Sequence, residues 1–458
     1  MSHQKSPGLL SKQKIVTGWG LNKKATVDIY EPIRIDQIQE IIINALPKSL
    51  IARGLGRSYG DAAQLNKKSV IDLKAFKNIS IDPIHQTVTA SAGVSFEQLM
   101  QSIIPKGFFL PVTPGTRSVT VGGAIAADVH GKNHHSDGSF GSHLNKLVLV
   151  DGNGEIKELS PTQNDEAQAF WATIGGMGLT GIILEATFSA IPIKTSKIKV
   201  DTYRYNHLEA LMEAMIASDK LYRYSVAWID SLDRKGRGVL TCGEHAEIDE
   251  VEINQNDELL SFNPKSLASA PNFMPSGLLN RFSVKAFNEA WYRKSPKLKK
   301  NELQNIGEYF HPLDGIQNWN RIYGPQGFIQ YQFVVPDHAS YLIPKTLNAL
   351  REIGAPSFLT VLKRLGDNNQ GHLSFPIKGW TLAIDVPASL KNLEVVLSKL
   401  DEEIADVGGK IYLAKDSRQS VRTFNKCYPR VDEWKQIKAS LDPKCIFASD
   451  ASQRLNLT

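Results

Sequence analysis

The chain has 458 residues, 42% of them hydrophobic and 22% charged, with a formal net charge of +6. This length exceeds what a single hydrophobic core fills, so we expect two or three domains of an ordinary globular protein. The mild charge argues against nucleic acid as a partner, although a local basic patch facing anionic lipid stays open. No window approaches the run of about 18 apolar residues that a membrane span needs, and no signal-peptide core is present. We therefore expect a cytoplasmic protein, at most peripheral on the inner membrane face.

Residues 1–192 alternate short β-branched strands with short helices, which predicts an α+β domain. The predicted strands lie in "SLIARG", "SVIDL", "QTVTASAG", "LNKLVLVDGNGEI" and "TGIILEATFSAIPI", and a helix lies in "SFEQLMQSIIP". In residues 193–408 the elements lengthen, with helical periodicity in "NHLEALMEAMIASD" and "LKNLEVVLSKLDEEIADVG". This change predicts a second α+β domain.

The first glycine cluster is "SLIARGLGRSYGDAAQLNKKSVIDL", residues 49–73. Gly54, Gly56 and Gly60 have the spacing G-x-G-x-x-x-G and run into a strand rather than a helix, so the segment is not a Rossmann fingerprint. Dense glycines beside Arg53 and Arg57 favour close backbone approach to an anion as much as a tight turn without a ligand.

Two further glycine clusters follow. Residues 111–143 contain "VGGAIAADVHG", and "WATIGGMGLTGIILEATF" contains Gly175, Gly176, Gly178 and Gly181. Three such clusters in one domain indicate a single large cofactor rather than one phosphate.

Histidines in the second glycine cluster, and three cysteines elsewhere, bear on metal binding and redox state. His130, His134, His135 and His143 fit no common metal spacing, so we prefer a polar pocket lining over a metal and expect no metal site. Cys242, Cys427 and Cys445 lie far apart and favour a reducing compartment.

Residues 262–305 show little periodicity, several prolines and a basic cluster at 293–300 beside Trp291 and Tyr292. The pattern predicts a long mobile basic loop. Two interpretations stay open: a surface that contacts anionic headgroups or a lipid phosphate, and a solvated loop without a partner.

Several motifs together resemble the vanillyl-alcohol-oxidase (PCMH-type) family of FAD-linked oxidases: "ARGLGRSYGD", "PGTRSVTVGGAIAADVHGKNHH", "FWATIGGMGLTGII" and "YLAKDSR". The motifs "AWYRKS", "EYFHPLDGI", "NRIYGPQGFIQYQFV", "LSFPIKGW", "YPRVDEW" and "FASDASQRL" are similar to the members that oxidise polyprenyl-phosphoryl-ribose. The resemblance implies a two-subdomain FAD domain in residues 1–192, a substrate domain with an antiparallel sheet in 193–408, and a C-terminal return to the FAD domain in 409–458.

The same resemblance implies which residues hold FAD. The implied contacts are Arg53, Gly54, Leu55, Gly56, Arg57, Ser58, Tyr59, Gly60, Asp61, Gly115, Thr120, Val121, Gly122, Gly123, Ala127, His130, Gly131, Ile182, Tyr412 and Lys415. Many relatives carry a histidine bonded covalently to the flavin in the first glycine loop, and Arg57 takes that position here. We therefore expect noncovalent FAD.

The implied reaction oxidises the 2-hydroxyl of a polyprenyl-phosphoryl-ribose to the 2-keto intermediate, in synthesis of an arabinose-containing cell-wall precursor. A cation near the reduced flavin stabilises its negative charge, and Lys415 matches the family's catalytic lysine, with His130 and Tyr59 beside it. Without the resemblance, Lys415 reads as a surface lysine paired with Asp416.

The implied substrate contacts are Gln330, Gln332, Lys363, Trp228 and Asp385. Trp228 lies in the predicted strand "YSVAWID", where a tryptophan is more often simply a residue of the hydrophobic core. Mycobacterial members carry a cysteine where this chain has Ala383.

The resemblance also implies an NAD(P)H-dependent short-chain reductase as partner. Two alternatives remain: a sugar-alcohol or aldonolactone oxidase of the same fold, and a flavin-binding or lipid-phosphate-binding protein without turnover.

Overall fold

The structure is a computed structural model that describes residues 10–162, 164–251, 258–264, 266–271, 274–275 and 277–458. Its strands are β1 (Lys12–Thr17), β2 (Lys24–Tyr30), β3 (Leu50–Ala52), β4 (Ser69–Ile71), β5 (Ile79–Asp82), β6 (Thr87–Ser91), β7 (Phe108–Phe109), β8 (Leu144–Val150), β9 (Ile156–Leu159), β10 (Ile182–Ser189), β11 (Ile191–Pro192), β12 (Lys197–Tyr205), β13 (Tyr224–Ile229), β14 (Gly238–His245), β15 (Ala268–Ser269), β16 (Leu298–Asn305), β17 (Ile316–Gln317), β18 (Phe328–Val335), β19 (Thr360–Leu365), β20 (Gly379–Pro387) and β21 (Lys410–Ile411). Its helices are α1 (Ile35–Ile43), α2 (Phe96–Ile103), α3 (Val121–Ala126), α4 (His134–Asp137), α5 (Asn164–Thr173), α6 (Leu208–Ser218), α7 (Arg281–Lys294), α8 (Ile306–Phe310), α9 (Leu342–Glu352), α10 (Leu393–Asp406), α11 (Val421–Cys427), α12 (Val431–Leu441) and α13 (Asp450–Arg454).

Two sheets form the N-terminal part of the fold. One has the order β1-β2-β4-β3 and the other β5-β6-β10-β8-β9, the second antiparallel throughout. Ser95 caps the N-terminus of helix α2, because its hydroxyl accepts from the Gln98 N–H at 3.2 Å, and the helix buries an apolar face in this core. The strands and the helix predicted for this region are confirmed.

An eight-stranded sheet, β16-β12-β14-β13-β19-β20-β18-β21, dominates the part that follows. Alternation along β18 places Tyr331 and Phe333 in one hydrophobic core with α6, α9 and α10, so these helices cover one face of the sheet. Gln330 and Gln332 point to the opposite face, which is therefore free to wall a cavity. The α+β fold class with an antiparallel sheet is confirmed.

The C-terminal segment packs against the first glycine loop. Tyr59 N–H donates to the Ala414 carbonyl at 2.8 Å, and a Cβ on Gly60 would lie 1.9 Å from the Asp416 carbonyl oxygen. Only glycine permits this approach without movement of the backbone. Arg454 bridges the two segments by ion pairs of 2.9 Å with both Asp61 and Asp416.

The prediction of a continuous loop over 262–305 is wrong for its second half. Asn280 caps the N-terminus of helix α7, since its side chain accepts from two backbone N–H groups, and β16 pairs with β12. The helix was missed because two of its three buried positions, Asn288 and Tyr292, are polar. Residues 265, 272–273 and 276 of this segment lie outside the described residues.

Candidate active site

One cavity lies between the first glycine loop, the segment from Pro114 to His130, the open face of the large sheet and the C-terminal segment. It holds about 1350 Å³ of space, counting its open mouth. The sequence-predicted residues that line it are Gly54, Leu55, Gly56, Arg57, Ser58, Tyr59, Gly115, Thr120, Gly123, Ala127, His130, Gln330, Gln332, Lys363, Tyr412 and Lys415. The structure thus brings these residues together from distant parts of the chain into one cavity.

The first glycine loop offers backbone donors to this cavity. In the described part of the chain, the N–H groups of residues 54–58 donate to no protein acceptor. Gly56 has φ +65°, and a Cβ on Gly54 would lie 2.3 Å from the Thr120 hydroxyl oxygen. Successive free N–H groups on a concave turn form an anion-binding cradle.

Three predicted residues of this loop act from outside the cavity lining. Arg53 donates to the carbonyls of Ala63 at 2.8 Å and Thr17 at 2.6 Å, so it holds the loop's shape. Gly60 and Asp61 face the C-terminal segment instead, as described above.

Four more predicted cofactor residues pack into the protein rather than line the cavity. Val121 N–H donates to Val94, a Cβ on Gly122 would lie 3.0 Å from the Ala92 methyl, and Ile182 pairs with Val150 in the sheet. A Cβ on Gly131 would lie 2.6 Å from the Asn133 side-chain oxygen. These residues pack within the protein and do not line the cavity.

The sheet presents a polar wall. Register places Gln330 opposite Asp385 and Gln332 opposite Ala383 on β18 and β20, and Lys363 opposite Thr381 on β19 and β20. Gln330 donates to the Asp385 carboxylate at 2.6 Å. Asp385 is completely buried and does not line the cavity, so it acts through Gln330 and through its charge.

Lys415 lies at the junction of loop, sheet and C-terminal segment. Its ammonium nitrogen is 3.6 Å from the Tyr59 ring centroid, and in the described residues it donates to no protein acceptor. Burial, opposed by the Asp385 carboxylate and reinforced by Lys363, lowers the pKa of Lys415 toward neutrality. Burial likewise raises the pKa of Asp385, although Gln330 and Lys415 oppose the shift. Burial, with Asp385 adding to it, raises the pKa of Tyr59, which therefore stays a neutral phenol.

His130 completes the centre of the site. Burial, with Lys363, His134 and Lys415 adding to it, lowers the pKa of His130 well below its usual range, so the imidazole is neutral. The Gln332 amide nitrogen donates to His130 Nε2 at 2.9 Å, which leaves the proton on Nδ1. Nδ1 is buried and has no partner among the described residues.

Lys363 is a second cation of the lining. Burial lowers the pKa of Lys363 to about 8, and no carboxylate pairs with it in the described residues. A buried cation without a partner is costly, so the pair of lysines favours an anionic or electron-rich ligand.

One of the three glycine clusters does not line the cavity. The third glycine cluster packs on protein: a Cβ on Gly181 would lie 2.7 Å from the Val150 carbonyl, and Gly175 abuts Ser374. Glycines permit tight packing of protein on protein as readily as contact with a ligand, so the glycine pattern alone does not show which of the two occurs.

The histidine cluster and Trp228 also differ from expectation. Of the four histidines only His130 lines the cavity, whereas His135 and His143 bind the backbone carbonyls of Tyr222 and Asp137. His134 accepts from the Gly366 N–H. Among the described residues no group of three or more His, Cys, Asp or Glu could hold a metal. Trp228 donates to the Phe358 carbonyl and does not line the cavity.

The sequence analysis missed several lining residues. Trp19 lies under the guanidinium of the predicted Arg57, at 3.8 Å from the ring centroid, and that guanidinium also donates to the Ser118 carbonyl. Asp314 accepts from the Thr116 hydroxyl at 2.8 Å, and Trp319 adds an apolar wall. No local pattern marks these residues, because each reaches the cavity from a distant part of the chain.

The residues present fit FAD. The unpaired backbone donors suit a pyrophosphate, the orphaned His130 Nδ1–H offers a donor for the polar edge of a ring, and Lys415 offers a cation for a reduced flavin. Together the fold and this site define a flavin-dependent oxidoreductase.

Comparison with known proteins agrees. Residues 29–160 match the FAD binding domain family. The chain is 41% identical over 452 residues to the decaprenylphosphoryl-β-D-ribose oxidase of Mycolicibacterium smegmatis, covering 97% of this chain and 98% of that protein. The chain therefore belongs to the family of that FAD-linked oxidase, and its resemblance to the family is confirmed.

Two other proteins show weaker similarity to this chain. The D-arabinono-1,4-lactone oxidase of Kluyveromyces lactis is 27% identical over 193 residues, 40% of this chain and 35% of that protein. A Physcomitrella patens BBE-like protein shares the fold at TM-score 0.66 and 15% identity, over 94% of this chain and 92% of that one. No helix among the described residues is long and apolar enough to cross a membrane.

Proposed function

We propose that this enzyme oxidises the 2-hydroxyl of a polyprenyl-phosphoryl-β-D-ribose to the 2-keto intermediate. The observation that carries the proposal is the meeting of Lys415, Tyr59 and His130 in one cavity, in a chain related over nearly its full length to an oxidase named for that lipid-linked sugar. The proposed product is the precursor of the arabinose epimer.

The FAD is noncovalent in this proposal. Covalent attachment needs a nucleophilic side chain, whereas Arg57 in the first loop is a cation engaged with Trp19 and Ser118. Among the described residues that line the cavity there is no cysteine, and the histidine is His130. Acid precipitation is expected to release all of the FAD into the supernatant.

Lys415 is the proposed base. Bound FAD supplies the two-electron acceptor for the hydride that leaves C2. The hydroxyl proton passes to the Lys415 amine, because burial lowers the pKa of Lys415 enough for a neutral amine to be present near neutral pH. Once protonated, the same group is a cation that stabilises negative charge on the reduced cofactor. Tyr59 and His130 orient the substrate.

Lys363 is the proposed partner of the substrate phosphate. The phosphate is carried on the carbon next to C2, so its binding group must lie close to the reacting centre. Lys363 lines the cavity with His130 and Lys415 and has no carboxylate partner in the described residues. A phosphate would supply the missing counter-charge.

The product chemistry implies a second enzyme. A 2-keto sugar becomes the arabinose epimer only after hydride delivery to the opposite face, which an NAD(P)H-dependent short-chain reductase would provide. Because the substrate is a lipid, the proposal also includes peripheral contact with a membrane.

The test is anaerobic mixing of oxidised holoenzyme with a short-chain polyprenyl-phosphoryl-ribose, followed by flavin absorbance. We expect rapid bleaching, and none with the matched lipid that carries 2-deoxyribose, because it lacks the reacting hydroxyl. Bleaching by free arabinono-lactone or an alditol, with the lipid inert, would replace this substrate by that of the lactone-oxidase alternative.

A further inference from the structure

Helix α7 exposes three aromatic side chains, spread over about half of its circumference. The exposed fractions of Phe282, Phe287 and Trp291 are 84%, 47% and 43%, and small Ala286 and Ala290 lie exposed between them. Large exposed apolar groups gathered on one helix mark an interaction surface.

The opposite face anchors the helix by itself. Val284, Asn288 and Tyr292 are buried, and the Asn288 amide donates to the Asp230 carboxylate at 2.8 Å. The Arg204 guanidinium donates to the Tyr292 carbonyl at 3.0 Å. Phe282 and Trp291, which make no aromatic contact outside α7 among the described residues, are therefore not needed to hold the helix in place.

Exposed cations lie on and beside helix α7, close in sequence to these aromatic residues. Arg281, Lys285, Lys294 and Lys297 are exposed and form no ion pair in the described part of the chain. The acidic groups nearby are already compensated, since Glu289 pairs with Arg237 and Arg293, and Glu302 pairs with Lys299. The surface therefore carries a local positive charge suited to an anionic partner.

A chain of aromatic contacts joins this surface to the lining of the cavity. The Phe287 ring centroid is 5.7 Å from that of Phe358, which is 6.5 Å from that of the cavity-lining Trp319. Leu279, just before α7, packs against the same aromatic cluster. An apolar chain leaving the cavity past Trp319 would meet the exposed face of α7.

We propose that α7 docks the enzyme on an anionic lipid bilayer, with Phe282, Phe287 and Trp291 in the interface and the flanking lysines on the headgroups. The surface combines aromatic residues with cations, as interfacial helices do, and attracts anionic lipid electrostatically. The inference rests on the proposed function for its biological sense, because the docked enzyme would take its lipid-linked substrate directly from the bilayer.

The first test measures binding of the holoenzyme to vesicles of phosphatidylglycerol and phosphatidylcholine by sedimentation. We expect binding that falls with added salt and with removal of phosphatidylglycerol. The double variant Phe282→Ser/Trp291→Ser is expected to lose about tenfold or more in partition, as is Lys285→Gln/Lys294→Gln/Lys297→Gln. The matched control Ile84→Ser/Val395→Ser removes exposed apolar groups (85% and 72% exposed) elsewhere and is expected to bind as the wild type does.

Wild-type protein that fails to bind, or α7 variants that bind normally, would overturn the proposal, as would an equal loss in the control variant. If the aromatic double variant does not fold, vesicle binding by the triple lysine variant still decides the proposal. Flavin reduction by the water-soluble short-chain lipid is measured separately on the wild type. Vesicle binding without that reduction would reject the proposed substrate and leave the docking surface supported. Reduction without vesicle binding would reject the docking surface and leave the proposed substrate supported.

Discussion

The Lys415 ammonium lies 3.6 Å from the centroid of the Tyr59 ring, although the two residues are at opposite ends of the chain. The ammonium lies against this ring in a buried setting and contacts no carboxylate among the described residues. Asp385 affects it only through its charge, which raises the pKa of Lys415. A lysine held in this way is suited to accept a proton at neutral pH.

Lys415→Met is expected to retain FAD and lose flavin reduction by the lipid-linked ribose about 10²- to 10⁴-fold, the range for removal of a general base. Stopped-flow absorbance checks the rate, and the flavin-to-protein absorbance ratio checks the cofactor. The exposed Lys378→Met serves as control. Normal reduction by Lys415→Met would refute its role as base.

The sequence predicted the cofactor side of the site better than its substrate side. Glycine spacing marked Gly54, Gly56 and Gly123 because backbone approach requires glycine locally. The contact of Gln330 with Asp385 depends on strand register, and Trp19 and Asp314 reach the cavity through tertiary packing, so no local pattern revealed them. Helix α7 escaped notice because its inward face is partly polar.

The pH dependence should reveal the electrostatic coupling of Lys415 to Asp385. A neutral amine is the active form, so flavin reduction is expected to rise with pH through the apparent pKa of the pair. The Asp385 carboxylate raises the pKa of Lys415, so Asp385→Asn lowers it and moves the rising limb to lower pH. Rate–pH profiles of both proteins test this, and a limb that stays in place or moves to higher pH contradicts it.

Lys363→Met should weaken binding of the phosphate-bearing substrate. Loss of one charge-assisted contact is expected to raise the Kd or KM about tenfold to a hundredfold, with a smaller change in the limiting rate of flavin reduction. The dependence of that rate on substrate concentration separates the two effects. A variant with an unchanged KM would show that the phosphate binds elsewhere.

Gly60→Ala should break the contact between the first glycine loop and the C-terminal segment. The new Cβ would lie 1.9 Å from the Asp416 carbonyl oxygen and 2.8 Å from its carbonyl carbon, and these backbone atoms cannot move aside cheaply. Overpacking of this kind costs about 1–3 kcal/mol, and it also displaces Tyr59 from Lys415. We expect a lower midpoint of thermal unfolding and reduced FAD content.

Gly315→Ala is the matched control for that substitution, because a Cβ there meets nothing within 4 Å and its φ is not positive. It is expected to keep wild-type stability and FAD content, as measured by thermal unfolding and flavin absorbance. Equal behaviour of the two variants would contradict the close approach at Gly60. If only Gly60→Ala loses FAD, the cradle depends on the C-terminal segment, so cofactor binding and placement of Lys415 are coupled through one backbone contact.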